Sequence, residues 1–385
     1  MGVITPVLIN DCSEYWHQRI LDSYGANLYV ALVRASDWIK IQKSENNGVT
    51  WSEIATRRCD GGVDAIFLCM KIDSTGVIHL AWRKKSGSRV VQYVTYDIVA
   101  DAWGSEEIAN SSNPGASTNV SLVLDSNDIP HVGNGGAIDA WHSSNRIGGS
   151  WSAPVGHGDE DRNHGFGCFL SNGDLVYIVT ERWYGDQRDA WEAKLTAAGV
   201  WADVEWIDDL EADIINSITF QNKTSGDDEI HWLYTYSNAA KYIYRSAAGV
   251  YSSKVTVVEL ADFAGANNLW ASDIYVDENG KVYALYRVQN AMGFNKHSIG
   301  FSTSTDHGAT WSANTWLFTA DITKGAGGAE RHCVFPKSVT GLGLVVIGDD
   351  KKAYYCATDN FEFVKTYGPW MKRLSSGIGV DNYVV

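Results

Sequence analysis

Positive charge, proline and paired cysteines are what this chain has little of. Its 385 residues carry 31 Lys and Arg against 46 Asp and Glu, a formal charge of −15. No run of cations could track a phosphate backbone, so duplex nucleic acid is excluded as a natural partner. No apolar run approaches the length of a bilayer span, which excludes membrane insertion by a helix. The six cysteines, Cys12, Cys59, Cys69, Cys168, Cys333 and Cys356, form no C-x-x-C pair. That removes zinc knuckles and thioredoxin-like sites and leaves buried, reduced thiols as the expectation. A secretory leader needs an early cation and an unbroken apolar core, but the first cation is Arg19, and Pro6, Asn10 and Asp11 interrupt the start. Pro6 also stands where a myristoylation pattern would want Ser or Thr. The expectation is synthesis in the cytoplasm without an export signal. The turn Asp277-Glu278-Asn279-Gly280 lacks the later Glu of a calcium loop, and neither a metal nor a cofactor is expected.

What is abundant is Trp, Tyr and Gly, at 16, 19 and 37 residues, and they recur on a beat. Ser304-Thr305-Asp306-His307-Gly308-Ala309-Thr310-Trp311 is an S-x-D-x-G-x-T-W turn. Its Asp can accept hydrogen bonds from backbone N–H groups of its own hairpin, its Gly supplies φ > 0, and its Trp can pack between neighbouring sheets. The first copy, Ser44 to Trp51, has Asn46 in place of the Asp, keeping the acceptor and losing the charge. Worn copies end at Trp103, Trp151, Trp201, Tyr251 and Phe361, so the closing aromatic returns roughly every fifty residues, the period of stacked or radial units.

A hairpin signal keeps the same period upstream of each turn: Lys71 to Trp82, Val123 to His131, Ser171 to Tyr177 and Val276 to Tyr283. Each unit therefore reads as strand A, tight turn, strand B, longer loop, strand C, stapling turn, strand D. Four antiparallel strands in such a unit make one propeller blade. The fold class expected is all-β, a seven-bladed β-propeller of four-stranded antiparallel blades, although six blades would also fit. The chain 1–385 reads as a single domain with blades near 12–58, 63–110, 118–156, 163–208, 214–260, 269–319 and 331–372. The β-prone segment Val3 to Ile9, or else the tail beyond Trp370, would supply an outer strand to close the ring.

The Ser304 to Trp311 turn resembles the Asp box, or BNR repeat, of the sialidase-like β-propellers, and the blade pattern resembles that superfamily over nearly the whole chain. The resemblance implies that these turns lie opposite the binding funnel. Ser304, Asp306, Gly308, Thr310 and Trp311, with Ser44, Asn46, Gly48 and Trp51, are then structural. The sialidases of the superfamily take their first carboxylate-binding arginine from an R-I-P motif; here Arg19-Ile20-Leu21 lacks the Pro, and sialidase chemistry is not expected.

In such a propeller the B-to-C and D-to-A connections share one face, so function is sought there. The B-to-C ends carry Arg34, Trp82-Arg83, Trp141-His142, Glu181-Arg182-Trp183-Tyr184, Tyr234 with Tyr236, and Tyr286-Arg287. The D-to-A ends carry Trp16-His17, Arg57-Arg58, Asp159 to His164, Asn267-Asn268 and Arg331-His332. Rings stack on sugar faces and guanidinium forks hold carboxylate or sulfate, so a polysaccharide, acidic before neutral, is the expected partner. The ligand-binding set is Arg83, His142, Glu181, Arg182, Trp183, Tyr184, Tyr234, Tyr236, Arg287, Arg331 and His332. The expected function is non-catalytic recognition of a glycan or surface. An exterior-acting propeller without a visible leader fits a phage particle released by lysis, as a tail, fibre or capsid-associated component alongside other virion proteins, with an oligomer allowed. The alternative is a glycan-cleaving enzyme, a uronate lyase before a hydrolase, with His164 or His142 as base, Tyr184 or Tyr236 as acid, and Arg182 or Arg83 neutralising the uronate. A third reading is an architectural disc that decorates an assembly.

Overall fold

The computed structural model describes residues 7–12, 20–34, 37–59, 65–84, 90–112, 120–135, 141–157, 162–181, 189–196, 200–209, 219–222, 228–277, 279–289, 297–322, 333–335, 341–347 and 352–359. Their strands form seven antiparallel sheets, the blades of a β-propeller. Blade 1 comprises Leu21–Tyr24, Asn27–Arg34, Trp38–Ser44 and Ser52–Arg58, strands A to D in order. Blade 2 runs through Ala65–Ile72, Val77–Lys84, Val91–Asp97 and Glu107–Asn110, and blade 3 through Val120–Leu124, Pro130–Gly135, Trp141–Ile147 and Val155–His157. Blade 4 is Arg162–Phe169, Leu175–Glu181, Asp189–Leu195 and Trp201–Asp209; blade 5 is Thr219–Asn222, Ile230–Tyr236, Ala239–Arg245 and Val255–Glu259. Blade 6 is Asn268–Val276, Val282–Gln289, His297–Ser304 and Thr315–Ile322. Blade 7 takes Cys333–Phe335, Gly341–Ile347 and Lys352–Asp359 from the far end of the chain and its outermost strand, Val7–Asp11, from the near end. Val7 pairs with Tyr355 and Asp11 with Lys352, so the first of the two closures suggested by the sequence is the one formed. This pairing covers a strand edge that would otherwise be open.

Inner strands are apolar on both faces because each sheet packs against a neighbour on either side. Six consecutive residues of Asn27–Arg34, Leu28 to Val33, are buried, and so are all but the last residue of Val282–Gln289. The A-to-B turns repeat one device. Asp73 Oδ1 accepts from the N–H groups of Thr75 (2.9 Å) and Val77 (2.8 Å), Asp125 Oδ1 from Asn127 and Ile129 (both 2.8 Å), and Asp277 Oδ1 from Asn279 (2.9 Å) and Lys281 (2.8 Å). Adjacent turns are also tied to each other: Ser74 donates to Asp128 of the next blade, and Ser171 Oγ to Asp228 at 2.7 Å.

The C-to-D turns pin blade to blade. In the Ser304 to Trp311 turn, the Ser304 hydroxyl donates to Asp306 Oδ1 (2.7 Å) and accepts from Gly308 N–H (2.8 Å), while Asp306 accepts from both Thr310 N–H (2.9 Å) and Thr310 Oγ1 (2.6 Å). The indole of Trp311 meets Tyr242 of blade 5 edge-on at 5.1 Å, and Trp51 and Trp151 meet Tyr355 and Tyr93 of their preceding blades in the same way, at 5.4 and 4.9 Å. Gly308 (φ +83°) lies under the Tyr242 ring, and an added Cβ would stand 2.0 Å from that ring; Gly48 (φ +86°) has the same relation to Tyr355. The glycine is thus required twice, by backbone angle and by the neighbouring blade.

Ion pairs inside the ring join neighbouring blades. Arg245 of blade 5 donates from Nε (2.8 Å) and Nη2 (3.2 Å) to Glu192 of blade 4, which also accepts from Tyr251. Arg146 of blade 3 holds Glu107 of blade 2 through two bonds of 2.8 and 2.9 Å. His79, His131 and His231 occupy the same position of strand B in blades 2, 3 and 5 and all are buried. His79 Nδ1 contacts the Tyr93 hydroxyl at 2.6 Å and His231 Nδ1 that of Tyr242 at 2.7 Å. Cys12, Cys59, Cys69 and Cys168 are buried, and the Cys69 thiol donates to Val120 O at 3.0 Å.

Candidate functional site

Register defines the two faces. In blade 6, Asn268 pairs with Gln289, Gln289 with His297, and His297 with Ile322, which brings the start of A, the end of B, the start of C and the end of D to one edge. The B-to-C and D-to-A loops leave from this edge, and the tight turns occupy the opposite one.

Several residues expected on the loop edge lie beneath it. Tyr234 is completely buried beside Trp232 at 5.1 Å, so its reading as a ligand contact is corrected to a core position. Arg83 and Arg287 are buried as well, at the end of strand B in blades 2 and 6, under the rings of Phe67 (5.4 Å) and Trp270 (4.4 Å). The reason is common to all three. Strand B is an interior strand with a blade on either side, and the residues between its ends are enclosed. Trp82 and Tyr286 obey the same rule, Trp141 at the start of strand C is equally enclosed, and all three belong to the core. Both arginine–aromatic pairs stand at bulges of strand A, between Ile66 and Cys69 and between Ala271 and Asp273, and Phe67 adopts φ +57°.

Tyr236, the last residue of its strand, is half-exposed with the Lys254 ammonium 6.0 Å from its ring, and His142 is half-buried opposite Asn134 and Gly156. In blade 4 the backbone pairs Arg162 with Glu181 and His164 with Thr180, placing Arg, Glu and His positions at one corner of the loop edge. Arg182, Trp183, Tyr184, Arg331 and His332 lie outside the described residues, as do Trp16, His17 and Asp159 to Asp161.

Blade 1 presents a cluster that motif reading passed over. Arg34 pairs with Trp38, and Trp38 with Arg58, across strands B, C and D. Directly paired residues project from the same face of a sheet with Cβ atoms about 5 Å apart, so the three form one row. Trp38 is 40% exposed, and the side chains of Arg34 and Arg58 are 49% and 61% exposed. Asp37 accepts from Arg58 Nε at 2.8 Å, and Asp11 of the closing strand stands 3.9 Å from Arg34 Nη2. The row therefore faces blade 7. One layer down, Lys40 bonds to Glu53, which also accepts from Asn10 of the closing strand at 3.5 Å. Arg57, one residue before Arg58, faces the other way and donates to Gly104 O of blade 2 at 2.8 Å. Arg34 and Arg57-Arg58 stood out as loop-edge cations in the sequence. Trp38 carried no motif, and only strand pairing puts it between them.

An exposed indole can stack on a sugar ring, and an arginine paired on either side of it in the sheet can hold an oxyanion. The three side chains offer a stacking face and hydrogen-bond donors, so the row itself is suited to binding. Among the described residues, no group of three or more His, Cys, Asp or Glu is placed to hold a metal ion.

No family model matches the chain, and no curated protein matches it. Among solved structures the chain is similar to a lectin from Burkholderia pseudomallei, with a TM-score of 0.66 and 10% identity over 89% of this chain and 96% of that one. It is similar to an ulvan lyase, described as a new family of polysaccharide lyase and bound to -[GlcA(1-4)Rha3S]-, with a TM-score of 0.61 and 10% identity over 93% and 95% of the two chains. A Hadza microbial sialidase gives a TM-score of 0.51 at 11% identity over 89% of this chain and 75% of that one. At these identities the likeness is one of fold: a β-propeller of the kind found in lectins, polysaccharide lyases and sialidases.

Proposed function

We propose that this chain is a non-catalytic glycan-recognising β-propeller of Asp-box type that binds a polysaccharide through its loop edge. The observation that carries the reading is the Arg34–Trp38–Arg58 row, in which a large apolar ring and two cations stand exposed on an acidic protein. An exposed indole with an arginine paired on either side in the sheet suits a saccharide better than an apolar ligand. Similar folds serve a lectin and an ulvan lyase, which supports a glycan ligand without deciding between binding and cleavage.

The test is a panel of polysaccharides presented to the purified protein, with binding measured by calorimetry and cleavage by ultraviolet absorbance of unsaturated uronate products. Saturable binding without a rise in absorbance is the expected result. A steady rise would replace this reading with the lyase one, for which the Arg162, His164 and Glu181 corner of blade 4 is the place to begin. The setting included in the proposal is a phage particle, with the glycan on a host surface. Mass spectrometry of purified particles tests that part separately, and finding the chain only in the soluble fraction of a lysate would remove it.

A further inference from the structure

We infer that the groove between blade 7 and blade 1 is a binding site for an oxyanion-bearing saccharide, with one sugar ring stacked on Trp38 and carboxylate or sulfate groups held by Arg34 and Arg58. The inference rests on the glycan-recognition reading and names its ligand class and its place.

Three observations converge on this groove. The first is the state of the cations. Arg58 uses its Nε edge for Asp37, which fixes the direction of the fork, while its two Nη groups make no hydrogen bond to a described residue. Arg34 forms a loose ion pair with Asp11 at 3.9 Å, too far for a hydrogen bond, and donates none to a described residue. These two differ from the paired arginines elsewhere: Arg146 and Arg245 each spend two nitrogens on a carboxylate of the neighbouring blade. The second is the ring. Trp51, Trp151 and Trp311 each pack against a tyrosine, whereas Trp38 meets no ring or cation among the described residues and remains exposed. The third is the floor. Lys40, Glu53 and Asn10 close the groove one layer below and consume one another's charge and hydrogen bonds, so a ligand is offered the upper row alone.

Geometry and charge then select the ligand. Arg34 and Arg58 flank Trp38 along the row, with Cβ positions about 5 Å to either side, so anionic substituents must lie beside a ring that stacks flat. A saccharide carrying carboxylate or sulfate meets that demand. A peptide strand would seek an unpaired sheet edge, but the row lies on a sheet face. The −15 charge of the chain opposes long-range attraction of any polyanion, so affinity must come from short contacts: bidentate bonds and stacking. Asp11 belongs to the strand that closes the ring, and the site is therefore complete only in the closed propeller.

The experiment compares hyaluronan oligosaccharides (carboxylate only), dextran sulfate (sulfate only), neutral dextran and poly-glutamate as calorimetric titrants of the full chain. One or both anionic saccharides are expected to bind, with neutral dextran and poly-glutamate at least about tenfold weaker. Trp38→Ala is expected to weaken the saccharide at least about tenfold, as loss of a central aromatic anchor does. Arg34→Gln with Arg58→Gln is expected to abolish the preference for the anionic saccharide while leaving the thermal midpoint unchanged. If no saccharide binds, the glycan reading itself fails. If a saccharide binds but both variants bind it as the wild type does, recognition survives and this groove is refuted. Equal binding of neutral dextran overturns the anionic class, and equal binding of poly-glutamate overturns the saccharide.

Discussion

The turn edge and the loop edge of this propeller are built from the same strands and treat polar groups in opposite ways. On the turn edge backbone donors find acceptors within their own hairpin or the next one, as in the Asp306, Asp73 and Asp125 turns and the Ser171 link to Asp228. Its exposed aliphatics, Val49, Val99, Ile147, Val200 and Val250, occur singly, one per turn tip, and need no partner. On the loop edge of blade 1, Arg34, Trp38 and Arg58 hold donors and ring surface in reserve. A group that satisfies itself in the folded chain stabilises the fold; one left open is available to a ligand. The two edges should therefore respond oppositely to substitution, in stability on one and in binding on the other.

The largest loss of stability is expected between the edges, at Glu192. Replacing it with Ala strands the buried Arg245 guanidinium, and the expected cost is about 3 to 5 kcal/mol, read as a shift of the urea midpoint. Next is Gly308→Ala, which must displace the Tyr242 ring and hold a left-handed backbone, at a cost of about 3 kcal/mol. Gly148 in blade 3 is its control: φ is +60°, but open space surrounds it, so Gly148→Ala should cost only about 1 kcal/mol of backbone strain. Equal costs at both positions would show that blade-to-blade contact at the turn edge contributes little. Trp38→Ala lies at the other extreme and should change stability by no more than about 0.5 kcal/mol while losing saccharide binding.

Acid adds a third probe. Burial pushes His131 down to about 4, so between its usual 6.5 and about 4 the unfolded chain takes up a proton that the native chain refuses. Its contribution is present above that window and lost as pH falls through it. His131→Phe should flatten the fall in urea midpoint over this range. An unchanged slope would place the acid sensitivity at other groups.

The architecture was readable from the sequence because each blade repeats the same turn chemistry. An Asn or Asp side-chain oxygen four residues before an N–H it must cap, and a glycine where a tyrosine lies overhead, leave the same imprint in blades 1 and 6. The loop edge carries no such imprint. Tyr234 and Tyr236 differ by one alternation, yet one is enclosed and the other half-exposed, and that depends on how far the strand runs before it turns. Arg83 and Arg287 lie in the last three residues of their strands, and beside bulges in strand A they stand over the rings of Phe67 and Trp270. Trp38 acquires meaning only from its partners across two strand pairings, and single-sequence periodicity does not encode which residues face each other.

The smallest effect expected is the most discriminating within the turn edge. Blade 1 already carries the variant: Asn46 Oδ1 accepts from Thr50 N–H at 2.8 Å as Asp306 does from Thr310, but Asn46 Nδ2 donates to Thr50 Oγ1 at 2.8 Å, reversing the direction of that bond. The hydroxyl can serve as donor or acceptor, so the turn tolerates either residue with the same number of bonds. Asp306→Asn should therefore leave the fold intact and shift the midpoint at neutral pH only slightly. Its signature lies in acid. Hydrogen bonds from the Thr310 hydroxyl and N–H, then from Ser304, hold the Asp306 carboxyl down at about 2, so its contribution is complete above its ordinary 3.8 and is lost as pH falls toward about 2. The Asn variant should lose that part of the acid dependence and no other. If it instead unfolds at neutral pH, charge as well as geometry is needed in blade 6, and the equivalence of the two turns is broken.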